Sequence, residues 1–196
     1  MGRKFLAAKE NLVEALSRLA KEKHLTLFSL VNESLEQTLR VEGFKKSLRE
    51  VIDEYEALAI ARETGFIIVA EEVLYPLIEK YYREDREGMI KVWYDQGSWY
   101  GRILPAQFVG KDGFDALEKL MRTIVWGLSE FTLSQIDNSL ILRCIGPRLP
   151  ESYTHLLAAF LEGLMHSLGY RTQSKDISRG IVFLTFIISR DDSEFS

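Results

Sequence analysis

The sequence predicts an α+β fold, with helices first and an antiparallel sheet of about four strands last, helices packed on it. Three observations predict this. Apolar residues recur at helical spacing in four stretches between residues 10 and 85. Two hairpin patterns fill the C-terminal third, each a pair of strand-like runs around a short turn. A strongly apolar helical pattern over residues 151–168 lies between them.

Residues 2–8, GRKFLAA, are long enough for one short strand. Leu12, Leu16, Leu19 and Ala20 then fall at i, i+4, i+7 and i+8, one face of a helix over about 10–23. The alternative is one continuous helix over 3–23, which Ala7 and Ala8 would permit. His24 and Leu25 make a break. Thr26 is a good N-cap, and Val31, Leu35, Thr38 and Leu39 mark a second helix over about 27–41, which Gly43 ends. Leu48, Ile52, Tyr55, Leu58, Ala59 and Arg62 space a third helix that stops at Gly65. Its charges read as a solvated face, and it connects two domains. A short apolar run follows at 66–69. Val73, Leu77, Ile78 and Tyr81 mark another helix ending near Asp85.

Residues 89–104 allow two structures. On a helix, Gly97 and Gly101 share a face and let another element approach closely. Asp95, Gln96, Gly97 and Ser98 would instead suit a hairpin turn. Residues 114–125 are helical by spacing. SEFTLSQ and SLILRCI flank Ile136, Asp137, Asn138 and Ser139, a hairpin whose Asp-Asn turn tolerates positive φ. Gly146, Pro147 and Pro150 break the chain before helix 151–168. Gly169 ends that helix, and YRTQSKDI and GIVFLTFIIS form a second hairpin across Ser178, Arg179 and Gly180. The domains are therefore 1–43, a connecting helix 44–65, and an α+β domain 66–196.

With 46% hydrophobic and 11% aromatic residues, 196 residues can bury a core. No apolar run is long enough to span a membrane, and the N-terminus lacks a signal-peptide stretch. One cysteine excludes an internal disulfide and a Cys-based zinc site, so the chain reads as cytoplasmic. Eight Asn and Gln against many Glu, Lys and Arg fit a thermophilic source. The net charge of −4 hides a gradient. Residues 1–40 carry 7 Lys/Arg and 5 Asp/Glu, or +2; residues 41–196 carry 18 and 24, or −6. A slightly basic N-terminal module thus precedes an acidic domain.

The order strand, helix, tight break, helix resembles the ribbon-helix-helix DNA-binding family, the class of Arc and MetJ. Leu12, Leu16, Leu19 and Ala20 carry the likeness, with LAKEKHLTLFSLVNESLEQTL continuing it through the turn. It covers about one fifth of the chain. The resemblance implies a dimer whose paired strands enter the major groove. It places Arg3, Phe5 and Ala7 toward the groove and Lys4, Leu6 and Ala8 inward; a one-residue shift reverses the two sets. Only Arg3 offers a hydrogen-bond donor to a base edge in the first register. The second helix would hold a phosphate at the N–H groups of Leu27 and Phe28 behind Thr26, with Lys9 and Lys23 adding charge. The DNA-binding set is thus Arg3, Lys4, Phe5, Lys9, Thr26, Leu27 and Phe28.

Beyond residue 70, the order helix, hairpin, helix, hairpin resembles the 4-vinyl-reductase-type ligand-binding domains and their relatives, the haem-NO-binding domains and TRAPP subunits. GSWYGRIL at 97–104, FLEGLMHSLGY at 160–170 and the last hairpin carry the likeness. It implies a small-molecule or protein-binding domain. The cysteine-rich metal site of many such domains has no counterpart here, and no histidine matches a haem ligand, so no cofactor is expected. Tyr94, Trp99, Tyr100, Trp126 and Phe160 would line a pocket for a small apolar ligand; ordinary core packing is the competing explanation.

His155, Glu162 and His166 fall on one helical stripe, but His155 lies about 10.5 Å along the axis from Glu162, too far to share a metal. A solvated polar face is expected, and no metal. Cys144, in the apolar stretch 140–145, reads as a small buried hydrophobe. No phosphate-binding loop, dinucleotide fingerprint, catalytic triad or zinc-protease motif occurs, so no enzyme is expected. The leading expectation is a homodimeric DNA-binding transcriptional regulator whose C-terminal domain senses a small molecule. The alternative is a non-enzymatic dimeric scaffold, its N-terminal module only a clasp and its C-terminal domain binding protein.

Overall fold

Helix α1 (Glu10–Glu22) starts at Lys9, whose carbonyl accepts the amides of Leu12 and Val13, with no side-chain cap. The helix closes through His24, held at φ 56°, where Leu25 N–H donates to Ala20 O and His24 N–H to Lys21 O. That is a Schellman closure with histidine in the left-handed position glycine usually fills. Helix α2 (Leu27–Glu42) opens as expected: the Thr26 Oγ1 accepts Ser29 N–H at 3.0 Å. Gly43 follows at φ −60°, and the left-handed residue is Lys45, at φ 58°. The computed structural model describes residues 5–107, 113–125 and 127–188. It divides into two compact units, 1–53 and 54–196, with the boundary inside α3 (Leu48–Glu63) rather than at 43 or 65.

The expected N-terminal strand does not form among the described residues. Residues 5–9 have no secondary structure, so neither the strand nor a continuous helix over 3–23 is present, and Arg3 and Lys4 lie outside the described residues. A strand needs a neighbour to satisfy its amides and carbonyls, and among the described residues none pairs with residues 5–8. What remains is a helical unit with a thin core: Ala20, Leu30 and Val41 are its buried hydrophobics. At the start of α3, Ser47 and Glu50 cap each other reciprocally. Ser47 N–H donates to Glu50 Oε2 at 2.6 Å and Glu50 N–H to Ser47 Oγ at 3.2 Å.

The second unit holds the sheet. Helix α3 ends at Gly65, φ 87°, with Phe66 N–H closing onto Ala61 O. Helix α4 (Glu71–Glu84) and α5 (Arg86–Gln107) are separated by Asp85, whose carboxylate accepts Gly88 N–H at 2.9 Å. Residues 89–104 are therefore helix, and the hairpin alternative is not adopted. Helix α6 (Gly113–Ile124) leads to β1 (Glu130–Ile136) and β2 (Ser139–Ile145), joined through Asp137 at φ 52°. Helix α7 (Glu151–Ser167) precedes β3 (Tyr170–Ser178) and β4 (Ile181–Ile188). The sheet is antiparallel throughout, in the order β1-β2-β4-β3.

Period-two alternation puts one side of this sheet in the core. Leu140 opposes Phe186, Leu142 opposes Leu184, and Cys144 opposes Val182, all fully buried. Helix α7 packs on that side, with Leu156, Leu161, Leu164 and Met165 buried, and α5 packs on α7. The close approach of α5 and α7 has a specific cause. A Cβ built on Gly97 would lie 1.9 Å from Phe160 O, and one on Gly163 2.1 Å from Tyr94 O. A Cβ on Gly101 would lie 2.0 Å from Ser167 Oγ. The two helices touch backbone to backbone through three glycines, as the shared face of Gly97 and Gly101 predicts.

Candidate functional site

The second unit contains a cleft of about 790 Å³, within the usual range for small-molecule sites. Five helices and one loop build its walls, with α4 contributing Glu71, Leu74 and Tyr75. Helix α7 presents Tyr153, Leu157 and Phe160, spaced i, i+4 and i+7 and so on one face. Helix α5 adds Trp93, and the end of α6 adds Met121, Ile124 and Val125. Leu58 and Ala59 of α3 close another side. The loop 66–69 borders the opening, and its Ile67 and Ile68 are 82% and 75% exposed. Isoleucines that exposed beside an apolar cleft keep its entrance wettable only at a free-energy cost.

Few polar groups face this space. Tyr75 and Tyr153 stand side by side, ring centroids 5.3 Å apart, and Trp93 meets Tyr153 edge-on at 5.4 Å. Burial pushes both tyrosine hydroxyls above their ordinary value, and the Glu71 carboxylate pushes in the same direction. Glu71, also at the cleft, pairs with Arg148 at 3.5 Å. The arrangement suits binding of an apolar molecule. Among the described residues no group of three or more His, Cys, Asp or Glu is placed to hold a metal ion.

Of the pocket residues expected from sequence, the structure places Phe160 on the cleft. Tyr100 stands behind that wall, 5% exposed, its ring against Phe66 and Phe160 and its hydroxyl donating to Thr64 O. Trp99 leans edge-on against Tyr100 and is 43% exposed. Tyr94 joins a different group, and Trp126 lies outside the described residues. The residues missed were Tyr75, Trp93 and Tyr153. The i, i+4, i+7 spacing of Tyr153 with Leu157 and Phe160 was the available signal.

No family model matches the chain, and no curated protein matches it. Among solved structures, the chain aligns with one from "Probing the function of heme distortion in the H-NOX family". The TM-score is 0.40 and the identity 8%, over 75% of this chain and 89% of that one. A likeness that shallow fixes neither a family nor a ligand.

The stripe expected to be a solvated face is instead a hydrogen-bonded chain. Tyr94 Oη lies 2.7 Å from His166 Nδ1, and His166 Nε2 lies 2.7 Å from Thr172 Oγ1. Thr172 donates to Glu162 Oε1 at 2.7 Å, and Lys175 reaches Glu162 Oε2 at 3.3 Å. The Thr172 backbone N–H also points to His166 Nε2, at 3.3 Å, so one threonine meets the ring through both its amide and its hydroxyl. The β-bulge between Thr172 and Ser174 sets Thr172 at this point. His155 stays apart, stacked on Tyr82 at 6.3 Å. Cys144 is 1% exposed, and burial pushes its thiol up to about 12, as suits an inert core residue.

In the first unit, the residues proposed to meet DNA are dispersed in role. Phe5 is fully exposed and outside any element, Lys9 is the backbone cap of α1, and Thr26 is used in capping α2. Leu27 and Phe28 form the first turn of α2, where amides and helix dipole favour an anion whatever the side chains.

Proposed function

We propose that residues 54–196 bind a small apolar molecule in the cleft walled by Trp93, Tyr153, Leu157 and Phe160, and that the chain is a dimeric regulator responding to it. The cleft carries this reading: its volume suits a small ligand, and its walls are predominantly apolar and aromatic. The test is titration of the full chain with Nile red. Saturable binding with a blue-shifted emission is expected, and Leu74→Trp, which fills the cleft from α4, should abolish it. Unsaturable binding, or binding indifferent to Leu74→Trp, would refute the cleft as a site.

The first unit supports the regulatory half of the proposal. Its two helices leave Leu12, Phe28, Leu35 and Leu39 exposed, Leu39 at 74%. We infer that a second copy covers these residues, bringing two N-terminal segments together where residues 3–8 would pair and meet DNA. Fluorescence anisotropy with a mixed-sequence duplex should show binding at low salt that weakens steeply as salt rises. A dimer with no salt-sensitive DNA binding would leave the module a clasp alone, as the apolar Phe5 and Ala7 favour.

A further inference from the structure

The cleft is apolar but carries one polar feature that the protein itself does not satisfy. Tyr75 of α4 and Tyr153 of α7 both line it, their ring centroids 5.3 Å apart. Among the described residues neither hydroxyl has a hydrogen-bond partner. The Tyr75 hydroxyl lies beside Gly127, 3.8 Å from where a Cβ would stand, and Gly127 also borders the cleft. Both residues are half-buried and face the cleft, so an occupant that displaces water from these hydroxyls leaves them unpaired unless it accepts a hydrogen bond, and an accepting occupant is favoured over one that does not.

Charge narrows the chemistry further. The Glu71 carboxylate borders the same space and adds to burial, the larger cause, in raising both tyrosine hydroxyls, while Arg148 opposes it at Tyr75. Protonated hydroxyls donate; Arg62 also borders the cleft, but Glu71 rather than Arg62 is the charge acting on both tyrosines, and a carboxylate there disfavours an anion beside them. Trp93, set edge-on to Tyr153, adds an aromatic wall that suits a flat molecule.

We propose that the occupant of the cleft is an uncharged, flat apolar molecule bearing a carbonyl oxygen, which accepts hydrogen bonds from Tyr75 and Tyr153. A carbonyl oxygen has two lone pairs, one for each tyrosine hydroxyl. This rests on the cleft being a ligand site, and the test separates the two ideas. Isothermal titration of the full chain would compare acetylnaphthalene, ethylnaphthalene and naphthoate, which share one ring system. Acetylnaphthalene should bind about tenfold more tightly than ethylnaphthalene, and naphthoate more weakly than acetylnaphthalene. Tyr75→Phe combined with Tyr153→Phe should erase the preference for the ketone over the hydrocarbon, with an unchanged circular dichroism spectrum showing the variant to be folded. Tyr75→Phe alone should reduce the preference in part. Equal binding of ketone and hydrocarbon, or tighter binding of naphthoate, would overturn the carbonyl assignment and leave the cleft standing. Binding of none of the three would overturn both.

Discussion

Gly97 and Gly163 decide how close two helices come. Each faces the other helix's backbone, so a methyl group there meets a carbonyl that cannot rotate away. Gly163→Ala and Gly97→Ala should each cost about 1–3 kcal/mol in urea denaturation, the usual range for overpacking. Gly169→Ala is the informative contrast, because no atom lies within 4 Å of its Cβ position and its cost comes from φ 87° alone. This contact was legible in the sequence, because two glycines four apart share a helix face whatever the partner. Tyr94 was not legible in the same way. Its partner His166 is 72 residues away, and only the α5–α7 contact brings them together. The aromatic cluster at 93–100 sends Trp93 to the cleft, Tyr94 to the polar chain and Tyr100 to the core, because successive helical residues turn by about 100°.

Secondary structure followed local chemistry closely wherever that chemistry is self-contained. Thr26 starts α2, Gly65 and Gly169 end α3 and α7, and Asp137 turns the first hairpin, each through groups within a few residues. Residues 5–8, the described part of the expected strand, form none, because a strand's hydrogen bonds are never its own. The start of α3 makes a pH-dependent prediction of the same local kind. Hydrogen bonds from the Ser47 backbone and hydroxyl hold the Glu50 carboxyl below its ordinary value of 4.5. A lowered folded value means that the cap's stabilisation is fully present above 4.5 and is lost as pH falls through the folded value. Amide exchange at Ser47 and Glu50 should therefore show protection falling on acidification, once corrected for the intrinsic rate. Glu50→Gln should remove that pH dependence, and protection unchanged across the titration would refute the reciprocal cap.

At the scale of the molecule, the unit at 1–53 buries too little to stand comfortably alone. Sedimentation velocity should find a dimer at micromolar concentration, and Leu35→Glu combined with Leu39→Glu should dissociate it. A wild-type monomer at that concentration would rule out the clasp. Within the unit at 54–196, the cleft's walls are unequal. Helices α5 and α7 interlock through glycine and cannot separate by a fraction of an ångström without losing that contact, whereas among the described residues the loop 66–69 is anchored chiefly through Phe66. The cleft therefore has an anvil and a latch. Adjustment to guests of different size falls to the latch, and slow deuterium uptake along 93–101 and 156–164 should coexist with fast uptake at 67–70.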